Sequence, residues 1–273
     1  MKGNKVGVST RTKVLLVVLC LALLVLVGGF FFAYAQLKAI YDRQFRVDEP
    51  ASQITIVSGR MVKSDVIAEF FGLSEGCNLS EIDFVEKRRQ ILEKISTLRD
   101  IRIVRKMPGS VYIAAEEREP TVKLGMRGVK TVTGRVADSE GVVFPCLRGT
   151  QMLPVIREAQ SKSSPIGTRL NGMPRAALEL LETVKSPDFT DVSILEVDAS
   201  RSDFLVATLA DYSVVKICWE GFCGEPTPES RADLKSRLEN LVKSIRSQVT
   251  SDVKIWNATM PGFIFADTQE KVQ

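Results

Sequence analysis

The 273-residue chain contains no histidine. That removes the commonest general base and the commonest metal ligand together, so serine–histidine, cysteine–histidine and zinc–histidine centres are excluded. Asp, Glu, Ser and Lys are plentiful, and carboxylate pairs or a Ser/Lys dyad remain open, yet no spacing singles out any pair. No catalytic residue, cofactor or metal site is assigned. Cysteine is the other reactive type. Cys20 sits in an apolar run and reads as a small filler. Of Cys77, Cys146, Cys218 and Cys223, only the last two are near enough in sequence to close a short disulfide, across Trp219 to Phe222, and two buried free thiols fit equally well. A four-cysteine metal centre would favour tighter knuckles. In "GFIFAD", Gly262 to Asp267, Phe263 and Phe265 fall on one face and Ile264 on the other. Such a strand at a sheet edge offers unpaired amide and carbonyl groups that a partner segment can complete.

The charge balance narrows the partner. The chain has 37 basic and 33 acidic residues, 45% hydrophobic content and 26% charged content. This composition is globular and long enough for one large or two modest domains. Residues 1–35 hold Lys2, Lys5, Arg11 and Lys13 and no acid, leaving 33 of the 37 basic residues against 33 acidic ones elsewhere. A duplex-binding domain carries a basic surplus to neutralise phosphates, so nucleic acid is not expected as a partner.

Val14 to Ala35 is a run of 22 residues without a charge, which predicts a transmembrane helix. Four cations precede it, whereas Lys38, Arg43 and Arg46 after it are offset by Asp42, Asp48 and Glu49. The positive-inside rule therefore keeps residues 1–13 in the cytoplasm and exports the bulk. Ala33-Tyr34-Ala35 has the small-x-small form of a signal-peptidase site. The length of the apolar run and the bulk of Phe30, Phe31 and Phe32 favour a retained anchor over a cleaved signal. A cleaved, secreted binding protein is the alternative, and a wall enzyme using carboxylates stands behind it.

After a polar connector, residues 36–53, "ITIVSG" reads as a short strand. Ser64 is a plausible N-cap, Ile67, Phe70 and Phe71 make an apolar stripe, and Gly72 can supply a left-handed C-cap. Ser80 with Asp83 three residues on has the form of a capping box, and a second helix is expected to run to about Thr97 with Phe84, Ile91, Ile95 and Leu98 on one face. "IRIVRKMPGSVYIAAEEREP", residues 101–120, is a strand, a Pro-Gly turn and a second strand, with Ile101, Ile103, Met107, Val111, Ile113 and Ala115 on one greasy face. A lone hairpin is marginal in water. The expected solution pairs it with the 54–57 strand beneath both helices.

From 121 onward the pattern is β-rich. Strands are expected at 130–136, 141–144, 193–197, 204–209, 214–219, 253–256 and 262–266. Helices are expected at 174–185 and after Thr227-Pro228, where Leu234, Leu238, Leu241 and Ile245 have helical spacing. Residues 148–172 read as a surface loop.

With one membrane span in front, residues 54–120 resemble a POTRA domain, and in particular the one in the FtsQ/DivIB family of bacterial cell-division proteins. The matching stretches are "ITIVSGRMVKSDVIAEFFGLSEGCNLSEID" and "DIRIVRKMPGSVYIAAEEREP". "DSEGVVFP", residues 138–145, resembles the start of the family's second domain. The resemblance implies an α+β protein: a single N-terminal transmembrane helix, a βααββ POTRA domain, and a β-rich mixed domain with two helices over residues 121–266, followed by a tail, 267–273. It implies a non-enzymatic scaffold in the inner membrane that binds FtsB/FtsL-type coiled-coil proteins and other divisome components to control septal wall synthesis. The partner site carried over consists of Ile255, Trp256, Gly262, Phe263, Ile264 and Phe265. In the family the penultimate strand carries an acidic residue and an arginine near its end; here "VKIWNAT" has Lys254, Trp256 and Asn257.

Overall fold

The computed structural model describes residues 10–106, 109–132, 134–247 and 253–267. The chain divides into two compact units, residues 1–58, 63–88 and 101–115 in one and residues 59–62, 89–100 and 116–273 in the other. It opens on α1 (Thr10–Phe45), a single 36-residue helix. Within it Leu23–Phe45, 23 residues, is long and apolar enough to cross a membrane; at ~1.5 Å per residue it exceeds the ~30 Å hydrocarbon core. Leu24, Leu26, Phe30 and Phe32 are 66% to 74% exposed, so no protein core claims them. Residues 36–45 of the polar connector continue the helix. The Cys20 side chain lies outside the described residues.

A short helix, α2 (Pro50–Gln53), leads into β1 (Ile54–Val57). Then come α3 (Ser64–Phe71), α4 (Phe84–Lys94), β2 (Leu98–Lys106) and β3 (Ser110–Glu117). The sheet order is β1-β3-β2, with β1 parallel to β3 and Ile56 opposite Ile113. The expected strand–helix–helix–strand–strand order is present. Ile67, Phe71, Phe84, Ile101, Val111 and Ile113 are buried, and the Phe71 and Phe84 rings stack with centroids 5.8 Å apart. Met107 and Pro108 of the connecting turn lie outside the described residues.

Three local expectations need correction. Lys63 is the N-cap of α3, and Ser64 is the first helical residue. Asp83 alone caps α4: its Oδ1 accepts the amides of Val85 and Glu86, both at 3.1 Å, while the Ser80 hydroxyl bonds to Asn78. A carboxylate at a helix start is favoured by the dipole as well as by the orphan amides, and so it wins over serine. α4 ends at Lys94, so Ile95 lies beyond the helix and Leu98 opens β2. Gly72 does take φ +72° as the C-cap of α3.

Glu117 organises the loop that precedes α3. Its carboxylate accepts the amides of Arg60, Met61 and Val62 at 2.9, 2.8 and 2.7 Å. A Cβ on Gly59 would fall within 3 Å of that carboxylate, hence glycine there. Glu117→Ala is expected to cost about 2 kcal/mol, since three charge-assisted bonds are lost but the amides regain water. Urea titration of Glu117→Ala beside Glu117→Gln checks this; a glutamine variant as weak as alanine would show that charge, not geometry, holds the loop.

The second unit holds a nine-stranded sheet. Its strands are β4 (Val122–Met126), β5 (Arg135–Ala137), β6 (Val143–Pro145), β7 (Val155–Glu158), β8 (Ile194–Asp198), β9 (Leu205–Leu209), β10 (Val214–Ile217), β11 (Ile255–Ala258) and β12 (Phe265–Asp267). The order across it is β12-β11-β10-β9-β8-β7-β4-β5-β6. α5 (Gly172–Val184) and α6 (Pro228–Ser247) interrupt the strands in sequence. Leu124, Ile156, Val197, Ala207, Val215 and Trp256 form one cross-strand row. All six are 5% exposed or less and share a core with Leu178 and Leu181 of α5 and Leu234, Leu238 and Leu241 of α6. Thr227 caps α6 as expected, its Oγ1 accepting the Ser230 amide at 3.1 Å, with Pro228 at the first position.

The surface loop expected at 148–172 is wrong. It contains β7, which pairs in parallel with both β4 and β8 in the interior of the sheet. β4 was not expected as a strand either, and 130–136 contributes only its end, with Arg135 the first residue of β5. In "DSEGVVFP", Asp138 Oδ1 accepts the Val142 amide at 2.8 Å and Oδ2 accepts Arg118 Nη1 at 2.6 Å, and Gly141 takes φ +82°. These bonds shape the turn between β5 and β6.

Candidate interaction edge

The two edges of the large sheet differ. Outside β6, residues 165–170 lie alongside: the Val143 amide donates to Thr168 O at 2.9 Å, the Gly167 amide to Val143 O at 2.8 Å, and Val142 bridges Arg169. β12 is the other edge, paired antiparallel with β11 through Ile255–Asp267, Trp256–Ala266 and Asn257–Phe265. Among the described residues no strand lies on its outer side.

The approach to β12 is built by side chains that fix the preceding turn. Asn257 Oδ1 accepts the amide and hydroxyl of Thr259 at 3.1 and 2.7 Å. Arg237, 6% exposed, donates from Nη1 to the carbonyls of Ala258 and Thr259 at 3.2 and 3.0 Å, and its Nε pairs with Asp233. Gly262 takes φ +73°, a left-handed conformation that a side chain would strain. This turn delivers Phe263 and Phe265 to solvent at 66% and 53% exposure, their rings near-parallel at 22° with centroids 6.5 Å apart. Ile264 packs inward against the core.

The six residues expected at the site thus separate by role. Phe263, Phe265 and the half-buried Ile255 are accessible, Trp256 at 5% exposure and Ile264 face the core, and Gly262 shapes the turn. Phe265 shares its face with Asn257, Lys216 and Val206 through successive strand pairs. Asn257 and Arg237 were missed as supporting residues. Asn257 had a local signal, since Asn two residues before Thr in a turn commonly bonds back to the chain; Arg237, 21 residues from Ala258, had none.

Elsewhere the chemistry is sparse. The described residues contain no group of three or more Cys, Asp or Glu able to hold a metal. Cys77, Cys146, Cys218 and Cys223 are free thiols; burial raises the Cys218 and Cys223 pKa values, Cys218 Sγ donates to Thr259 O and Cys223 Sγ meets Met173 Sδ at 3.4 Å. A cleft of about 270 Å³ is lined by Ser139, Arg175, Glu179, Glu182, Thr183 and Arg231. Burial pushes the Glu179 carboxyl up against the opposing pull of Arg231 and Arg175. Arg231 Nε stands 3.6 Å from Oε1, an ion-pair distance too long for a hydrogen bond.

Because its folded pKa is raised, Glu179 binds a proton more readily in the folded chain, and its ionisation lowers stability as pH climbs above the ordinary carboxylate value. Glu179→Gln is therefore expected to melt higher than the parent at pH 7, with the difference vanishing below pH 4. A lower melting temperature at pH 7 would mean that the arginines outweigh desolvation. Comparison of the chain with models of known protein families and with curated proteins gave no match.

Proposed function

We propose that this protein is a membrane-anchored, non-enzymatic scaffold of the bacterial division machinery, of FtsQ/DivIB type. The observation that carries the reading is the β12 edge, open among the described residues and displayed with two exposed aromatic rings, while residues 165–170 cover the opposite edge of the same sheet. Strand addition supplies main-chain hydrogen bonds, and neighbouring apolar side chains supply selectivity. A small coiled-coil division protein of FtsB/FtsL type is the proposed partner. The POTRA reading of the smaller sheet is supported by its βααββ order and by the β1-β3-β2 arrangement. Anchoring in the inner membrane is supported by α1, and the cation excess before it favours a cytoplasmic N-terminus with the bulk outside.

Depleting the chain from its cell is expected to give filaments that do not constrict. Restoring the full chain rescues division; restoring Phe263→Ala/Phe265→Ala, which still reaches the membrane, does not. Normal division after depletion would overturn the reading.

A further inference from the structure

A cleft lies at the C-terminal end of α1. It measures about 590 Å³ and is lined by Ala39, Asp42, Arg43, Arg46, Asn78 and Glu81, among others. Backbone bonds create it. The Leu79 amide donates to Phe45 O at 2.9 Å, the Val47 amide to Cys77 O at 2.9 Å, and the Gly76 amide to Val47 O at 2.7 Å, so residues 45–47 are stitched to the loop between α3 and α4. Phe45 and Val47 are 5% and 0% exposed, which holds the end of the helix in place.

The charges in the cleft are two of each sign. Arg43 makes no ion pair among the described residues, and the Arg46 contact with Asp48 is long, at 3.6 Å between exposed groups, so both guanidiniums are available. Among the described residues Asp42 takes a hydrogen bond only from Asn78 Nδ2, at 3.4 Å, and Glu81 also lines the cleft. The position along the helix matters as much as the charge. With the uncharged run 14–35, rather than all of Leu23–Phe45, taken as the hydrocarbon span, Ala39 and Asp42 stand about 6 and 10 Å beyond its end at Ala35, at the level of the polar headgroups. Tyr34 and Tyr41, 59% and 52% exposed, have the amphipathic rings that settle at this level.

We propose that this cleft binds a phosphate ester carrying a primary ammonium, as presented by a phosphatidylethanolamine headgroup. Arg43 and Arg46 take the phosphate, since guanidinium forks match its oxygens; Asp42 and Glu81 accept the N–H bonds of the ammonium. A headgroup with a quaternary ammonium has no N–H to give, and a glycerol headgroup has no cation. The inference rests on α1 crossing a membrane.

The test is native mass spectrometry of the full chain in detergent, titrated with short-chain phosphatidylethanolamine, phosphatidylcholine and phosphatidylglycerol. Expected is one bound phosphatidylethanolamine with about tenfold preference over the other two, a free-energy step of one factor of ten. Arg43→Ala/Arg46→Ala should weaken it by at least about tenfold, and Glu81→Gln should erase the preference over phosphatidylcholine. Equal affinity for the three lipids, or unchanged binding in the arginine variant, overturns the proposal. Displacement by free O-phosphoethanolamine at equal concentration overturns the lipid assignment in favour of a soluble phosphate ester. Membranes carrying the same chain are washed at alkaline pH in parallel. A chain that washes off refutes the anchor, whereas a retained chain without lipid preference refutes the cleft alone.

Discussion

Ile113→Asp abolishes hydrogen-exchange protection in β1, β2 and β3 of the full chain. Ile113 is 0% exposed in the central strand of the three-stranded sheet, opposite Ile56 of β1. An aspartate there loses the isoleucine's transfer energy and buries a carboxylate with no partner, which together cost about 4 kcal/mol or more. A small unit with two helices on one sheet has little more stability than that to lose. Ile113→Val is the control: it removes one methyl, costs about 1 kcal/mol and keeps the sheet protected. Retained protection in Ile113→Asp would mean that this face is not a core. Ile95 is a poorer choice, although its spacing places it on the buried stripe of the second helix. It lies beyond the end of α4 and is half-buried, so a carboxylate there can turn to water.

The contrast between Ile95 and Ile113 shows what local pattern can reveal. Alternation in β3 and helical spacing in α3 and α6 hold over enough residues to specify both the element and its buried face. Helix ends turn on single side chains: Asp83 holds the amides of Val85 and Glu86, while the Ser80 hydroxyl, three residues earlier, bonds to Asn78 instead. β4 and β7 fail for another reason. β7 is four residues long, with Val155 and Ile156 as its only apolar pair, amid Pro, Ser and Gly that signal turns. β4 contains Gly125, which reads against a strand, yet a Cβ there would come within 2.9 Å of Arg157 Nη1. The glycine answers to a neighbour that only the sheet brings near. The same holds for the candidate site. The alternation of Phe263, Ile264 and Phe265 was legible, but the burial of Trp256 and the edge position of β12 follow from a strand order that spans the whole second unit.

Phe263→Ala/Phe265→Ala is expected to lower affinity for the proposed coiled-coil partner by roughly 100-fold or more while the fold survives. Exposed aromatic anchors at the centre of an interface cost about 2 kcal/mol each when truncated, and two stacked rings are coupled, so their joint loss corresponds to roughly two to three factors of ten. Both rings are more than half exposed, at 66% and 53%, so removing them takes little from the core; the melting temperature should hold. Ile264→Pro behaves differently. Proline at a free edge is tolerated, but Ile264 precedes β12 and packs against the core. That variant should lose stability together with binding and cannot isolate the edge. The measurement is calorimetric titration of the full chain in detergent with the partner, beside a melting curve for each variant. If the double alanine variant binds as the parent does, the partner does not use these rings and the open edge of β12 is not its docking site. If the double variant also melts early, the rings belong to the core and not to an interaction surface.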